Sequence, residues 1–336
     1  MSSGDPKTAV RRRPWLFALK IAVSVGLVAW LAHGLGWKAI VNAMARAEPA
    51  HLLLAAGLLV VSHLFASWQW GRLLSRVGVS VRPWRVVGYT WAAALGNLVL
   101  PTGAGGDVAR VIGAGRESGE GAAVLAATLV DRLLGLSMLG TLGLLGLLRM
   151  PELEGTHSGR TVMVAIMANA AATLGLLVFL LGPMRAKALS WLAERLPGRP
   201  GQRAAELGAA LDRLRTRPGF LALLGISLAV QTCRILAHAE VARALDIRVG
   251  LGYFFAFVPL LAIAVSLPVS VGGIGVRESL GAFLFGFLQV DAARGSAMQL
   301  LAYLLTIAVT LPGVVAFAAL TRAPRNAPRP AREAGG

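Results

Sequence analysis

Two short stretches carry the residue types that could do chemistry. Leu100 to Arg110 reads LPTGAGGDVAR, and Leu267 to Arg277 reads LPVSVGGIGVR. Both run Leu-Pro, three residues, Gly-Gly, three residues, Arg, and they stand 167 residues apart. Proline stops an incoming helix because it has no N–H to donate, and glycine accepts backbone angles that other residues avoid. Pro101, Gly105 and Gly106, and in the second copy Pro268, Gly272, Gly273 and Gly275, are expected to shape chain reversals. A helix restarting after Gly105-Gly106 presents backbone N–H groups at its first turn, and such an end attracts anions, phosphate included. Arg110 stands about one turn further on, within reach of the same ligand, and Arg277 repeats the arrangement. The chemistry implied is recognition of an anion.

Acidic residues stand close by. Asp107 is expected to cap its helix and to pair with Arg110 one turn later. Glu278 follows Arg277 directly, so it faces another direction and is expected to reach another helix. Asp131 and Arg132 interrupt a long apolar stretch, where each charge costs ~2.5–3.5 kcal/mol on insertion scales. Neighbouring side chains or the charges of the two motifs are their expected partners. Arg234 and Gln231 raise the same question in a later apolar run. The plainer alternative is that all these charges only tie helices together. His63 and His238 read as helix-interface residues, and Trp15, Trp37, Trp68, Trp70 and Trp84 as anchors at the membrane surface. The five histidines show no metal-ligand spacing, and no metal or cofactor is expected. No G-x-x-x-x-G-K-[ST], H-E-x-x-H or G-x-S-x-G pattern occurs, so the sequence carries no signature of an ATP-driven motor, a zinc hydrolase or a serine hydrolase.

The elements that must position these residues are membrane helices. The chain is 56% hydrophobic and only 15% charged, with mean hydropathy +0.67. Several runs exceed the ~18 apolar residues that mark a spanning helix. Six full spans are predicted, near residues 14–34, 52–71, 121–148, 161–182, 219–242 and 297–320. Residues 86–100, 251–267 and 277–291 are shorter. Fifteen helical residues reach only ~22 Å, against a hydrocarbon core of ~30 Å. Residues 86–100 and 277–291 therefore read as parts of re-entrant hairpins, while 251–267 could also span alone.

The net charge of +17 does not indicate a nucleic-acid partner, because the basic residues lie in short stretches between apolar runs. Four fall in residues 1–13, four in 72–85, eight in 184–217 and four in 322–336. Segments 35–51, 149–160 and 243–250 hold two each. The positive-inside bias then places both termini in the cytoplasm. Each half has two spans, a hairpin and a third span, an odd number of crossings, so the halves face opposite ways. The fold class is an all-α polytopic membrane protein: six transmembrane helices and two re-entrant hairpins in an inverted repeat, a plan common in secondary transporters. The domain scheme is a basic N-terminus (1–13), one membrane domain (14–320, with halves of about 14–148 and 161–320) and a disordered cytoplasmic tail (321–336). Residues 184–217 form a basic linker, either an ordinary cytoplasmic loop or a segment lying on anionic lipid.

The segments NLVLPTGAGGDVAR, LVDRLLGL and LPVSVGGIGVRESLGAF together resemble the flippase-like membrane region of the lysylphosphatidylglycerol synthase family, over roughly residues 14–320. The resemblance implies movement of a modified phospholipid between leaflets. It implicates Gly105, Gly106, Asp107 and Arg110, then Asp131 and Arg132, then Gly272, Gly273, Gly275, Arg277 and Glu278. Full synthases carry a soluble aminoacyl-transferase domain after this region, whereas this sequence ends some fifteen residues after its last span, so lysyl-lipid synthesis is not expected of it. The leading expectation is an inner-membrane translocase for a phosphate-bearing or zwitterionic lipid. The alternatives are an intramembrane transferase acting on a lipid-linked substrate and a non-catalytic membrane partner of a separate lipid-modifying enzyme.

Overall fold

Pro49 and Pro83 open two of the helices, at first-turn positions where a missing N–H breaks no helical hydrogen bond. The computed structural model describes residues 37–100, 104–148, 157–195, 198–216, 219–266, 270, 273–313 and 315. The expected span 14–34, the two terminal segments, Pro101, Pro268 and Gly272 lie outside the described residues. Among the described residues the regular structure is twelve helices. In chain order they are α1 (Trp37–Ala45), α2 (Pro49–Arg76), α3 (Pro83–Val99), α4 (Gly105–Ser118), α5 (Gly121–Leu147), α6 (His157–Leu181), α7 (Met184–Arg195), α8 (Arg199–Thr216), α9 (Phe220–Ala244), α10 (Leu251–Ser266), α11 (Val276–Gly286) and α12 (Ala292–Thr310). Five are long and apolar enough to cross a membrane: α2, α5, α6 over Arg160–Leu181, α9 and α12. They match five of the six expected spans.

The order long, short, short, long occurs twice, as α2–α3–α4–α5 and as α9–α10–α11–α12. Contacts at the two ends of the bundle show how the copies are oriented. At one end Arg213 of α8 donates to the Val77 carbonyl just after α2, at 2.8 Å. There Arg85, near the start of α3, pairs with Glu117, near the end of α4, and Tyr89 also donates to Glu117 at 2.9 Å. The first hairpin therefore returns to the end from which it starts. At the opposite end the Glu48 N–H, just before α2, donates to the Ala244 carbonyl at 2.8 Å, and His51 bonds Glu240 at 2.7 Å. At the base of the second hairpin the ring centroids of Tyr253, early in α10, and Phe285, late in α11, are 5.3 Å apart. Hence α2 and α9 run antiparallel, and the two hairpins enter from opposite ends.

The halves interlock by exchange. α2 packs on α9. The closing helix of each half packs on the opening helix of the other, α5 on α9 and α12 on α2. α5 also packs on α10, as α12 does on α3. Two apolar cores result. One gathers Tyr253, Phe254, Phe257 and Phe285, and the other Trp70, Leu134, Leu211 and Leu214. The latter two come from α8, so the basic segment is anchored on the bundle. Arg185 of α7 is buried and donates to the Gly208 carbonyl at 2.7 Å, which joins α7 to α8.

Candidate functional site

The first motif works as a close crossing of α3 and α4. A Cβ on Gly106 would fall 1.9 Å from the Ala93 carbonyl oxygen, and one on Gly96 would fall 2.9 Å from Gly106 Cα. Only hydrogen at both positions lets the backbones approach. Asn97 of α3 uses that proximity. Its Oδ1 accepts from the Gly106 N–H at 2.9 Å and from the Asp107 N–H at 3.3 Å. This corrects the expectation that the start of α4 offers its N–H groups to a ligand, because a side chain from the neighbouring helix already takes two of them. The second motif does likewise. Glu278 Oε2 accepts from the Gly275 N–H at 2.7 Å, so Glu278 closes its own helix end. Gly273 and Gly275 hold φ of +76° and +84°, the left-handed region that favours glycine.

The charged residues of α4 and α5 form one network. Arg110 Nε lies 3.0 Å from Asp107 Oδ1, and its Nη2 lies 3.0 Å from Asp131 Oδ2. Arg132 donates to Asp107 Oδ2 through Nε at 2.6 Å. Gln69 of α2 donates to the other oxygen of Asp131 at 2.8 Å. The Arg110 guanidinium also stands 4.9 Å over the Trp70 ring. Trp70 is fully buried and donates to Thr128 at 3.1 Å, so it is a core residue and not the surface anchor its position near a span end had indicated. Trp68 and Trp84 are exposed, as an anchor should be.

Arg277 of α11 is buried and stands 4.2 Å over the ring of Tyr303 on α12. The Tyr303 hydroxyl donates to the Leu98 carbonyl at 3.3 Å, two residues before the end of the Leu98–Leu100 stretch that leads into the first motif. One side chain thus joins the two motifs.

Between them lies a cavity of about 420 Å³. Its wall includes Asp107, Arg110, Asp131 and Arg132 from the first half, and Arg234 and Arg277 from the second. Five of the six charged residues expected at a site therefore meet on one wall, and the sixth, Glu278, is not among the lining residues. His63 and His238 also line it. Their Nδ1 atoms bond the Leu59 and Arg234 carbonyls at 2.8 and 2.9 Å, so each ring is fixed by its own helix as well as facing the cavity. Asn97 and Tyr303 were not anticipated. Each is one of several polar residues on its helix, and nothing in the sequence sets it apart from the others. Among the described residues no group of three or more His, Cys, Asp or Glu is placed to hold a metal ion. A second cavity, of about 310 Å³ and lined mainly by apolar residues of α3 and α4, shares Ala93 and Arg110 with the first.

The family model described as lysylphosphatidylglycerol synthase TM region matches residues 17–313. No curated protein and no solved structure matches the chain.

Proposed function

Since this multi-pass membrane protein belongs to the lysylphosphatidylglycerol synthase transmembrane-region family, we propose that it is a lipid translocase whose inter-motif cavity carries the headgroup between leaflets. One observation carries this reading: Arg110 and Arg277, from two hairpins that enter from opposite ends, line the same cavity. A volume of about 420 Å³ suits a headgroup and excludes a whole two-chain lipid, so the chains must remain outside it. The adjoining apolar cavity on α3 and α4 is suited to the first part of an acyl chain. Inverted hairpins around a central site are also the geometry from which alternating access is built.

In this reading Asp107, Asp131, Arg110 and Arg132 form the polar wall of the site, and Arg277 contacts the ligand. Glu278 supports it by holding the start of α11. The end of the bundle that carries residues 72–85 and 184–217 faces the cytoplasm of an inner membrane, as do both termini. The exposed basic side chains of 184–217 then face anionic lipid or a separate lipid-modifying enzyme. Direction comes from the membrane potential, ~2.3 kcal/mol per charge per 100 mV, or from consumption of the lipid on one side. A transferase reading is less well supported, because Asp107 and Asp131 are both committed to arginines and neither stands as a free base.

The purified protein should leave a lipid chemically unchanged in detergent and should move its headgroup across the bilayer of sealed vesicles, read by protection from an added reagent. A new lipid product in detergent would transfer the protein to the enzyme class.

A further inference from the structure

The charges on the cavity wall do not balance. Among the described residues, Arg110, Arg132, Arg234 and Arg277 share the wall with two carboxylates, Asp107 and Asp131. Both carboxylates are taken by Arg110 and Arg132. Counting the nearby Glu278, which lies outside the wall and serves the Gly275 N–H, still leaves an excess of one cation. The histidines cannot reverse the sign, since protonation of either would add positive charge.

Arg234 is the residue where the excess is localised. It sits on α9, half-buried, and lines the wall together with His63 and His238, with Asp131 and Arg132 as electrostatic neighbours. Among the described residues, no carboxylate or carbonyl accepts a hydrogen bond from its guanidinium. Arginine stays charged in proteins, and a cation at membrane depth is costly without a counter-charge. Among the described residues the carboxylate nearest in effect, Asp131, is already held by Arg110 and Gln69, so the ligand supplies the partner that Arg234 lacks.

We propose that Arg234 receives the anionic group of the ligand, beside the Asp107–Arg110–Asp131–Arg132 network, and that the cavity selects a net-anionic phosphate-bearing headgroup over a net-cationic one. This rests on the headgroup-cavity reading above and narrows it. It also separates this chain from the lipid in its family's name: a lysyl ester of phosphatidylglycerol carries two amines against one phosphate, and it would bring net positive charge to a wall already in surplus. Like charges brought together in a site oppose binding, and that decides between the two lipids.

The test is retention of lipid by the purified full-length protein, read by native mass spectrometry from detergent micelles doped equally with phosphatidylglycerol and its lysyl ester. The wild type should retain phosphatidylglycerol at least about tenfold over the ester. Arg234→Gln should lose most of that preference, and Arg234→Lys, which keeps the charge, should retain it. A thermal unfolding midpoint for each variant separates lost selectivity from lost fold. Equal or greater retention of the lysyl ester by the wild type overturns the inference. So does a wild-type preference in Arg234→Gln, or loss of preference in a folded Arg234→Lys. A further arm uses inorganic phosphate alone. Stabilisation by phosphate that is absent in Arg234→Gln, without retention of any lipid, upholds the anion site and assigns it to a free anion, which overturns the translocase reading instead. Headgroup movement in vesicles with no preference for charge overturns the inference and leaves the translocase reading standing.

Discussion

Asp107 holds two cations at once, Arg110 through one carboxylate oxygen and Arg132 through the other. Asp107→Asn should therefore strand positive charge in a low-dielectric site, and breaking a buried pair costs ~3–5 kcal/mol. The expected outcome is a clear fall in the thermal unfolding midpoint in detergent, larger than that for Glu117→Gln at the hairpin base. Exchanging the pair, Asp107→Arg with Arg110→Asp, should not restore stability. It sets a carboxylate at position 110 against Asp131 and a guanidinium at position 107 against Arg132. The one-turn pairing of Asp107 with Arg110 was legible in the sequence, because helix geometry alone brings residues three apart together. The second partners, Arg132 for Asp107 and Asp131 for Arg110, were legible only as one of two alternatives, since they arrive from α5 through tertiary packing. The same limit explains the helix ends. The spacing that predicts open N–H groups after Gly105-Gly106 says nothing of Asn97 on the facing helix, and the expectation that Glu278 reaches another helix is corrected by its carboxylate folding back on its own first turn.

At the scale of elements, the hairpins depend on glycine at points of backbone contact. Gly106→Ala would place a methyl group 1.9 Å from the Ala93 oxygen, so α3 and α4 must part and Asn97 must release the start of α4. Overpacking of this kind costs ~1–3 kcal/mol or more. The variant should be much less stable to heat, whereas Gly57→Ala, with nothing within 4 Å of the new methyl, should match or exceed the wild type. Equal midpoints for both variants would mean that the crossing is not close. Short helices around each motif were readable from length and proline: 86–100 became Pro83–Val99, 251–267 became Leu251–Ser266, and 277–291 became Val276–Gly286. The fate of 184–217 was not. Its charge pattern suits a loop or a membrane-surface segment equally well, whereas in the structure Arg185 joins its two helices and Leu211 and Leu214 are buried against the bundle. Trp70 illustrates the same point in reverse. An interfacial residue type near a span end is buried here in the second apolar core, with the Arg110 guanidinium over its ring.

For the whole molecule, the repeated skeleton becomes a physical statement: α2 and α9 run antiparallel, the closing helices exchange between halves, and both motifs reach one cavity. The offset of 167 residues made the duplication legible, and the odd number of crossings made its inversion legible. The shared cavity lies between halves held together by the packing of α5 on α9 and of α12 on α2. Its use to move a lipid headgroup is the central claim. The most direct measurement is the rate of headgroup movement in sealed vesicles for the wild type, Arg110→Lys, Arg277→Lys and the double variant. Lysine keeps each charge but cannot reproduce the planar fork, neither the bridge from Arg110 to two carboxylates nor a two-pronged hold on phosphate by Arg277. Each single variant should be at least several-fold slower. Because both act on one ligand in one cavity, the double variant should be no slower than the slower single. Wild-type rates in both single variants, or a double-variant defect equal to the product of the two, would contradict a single shared site.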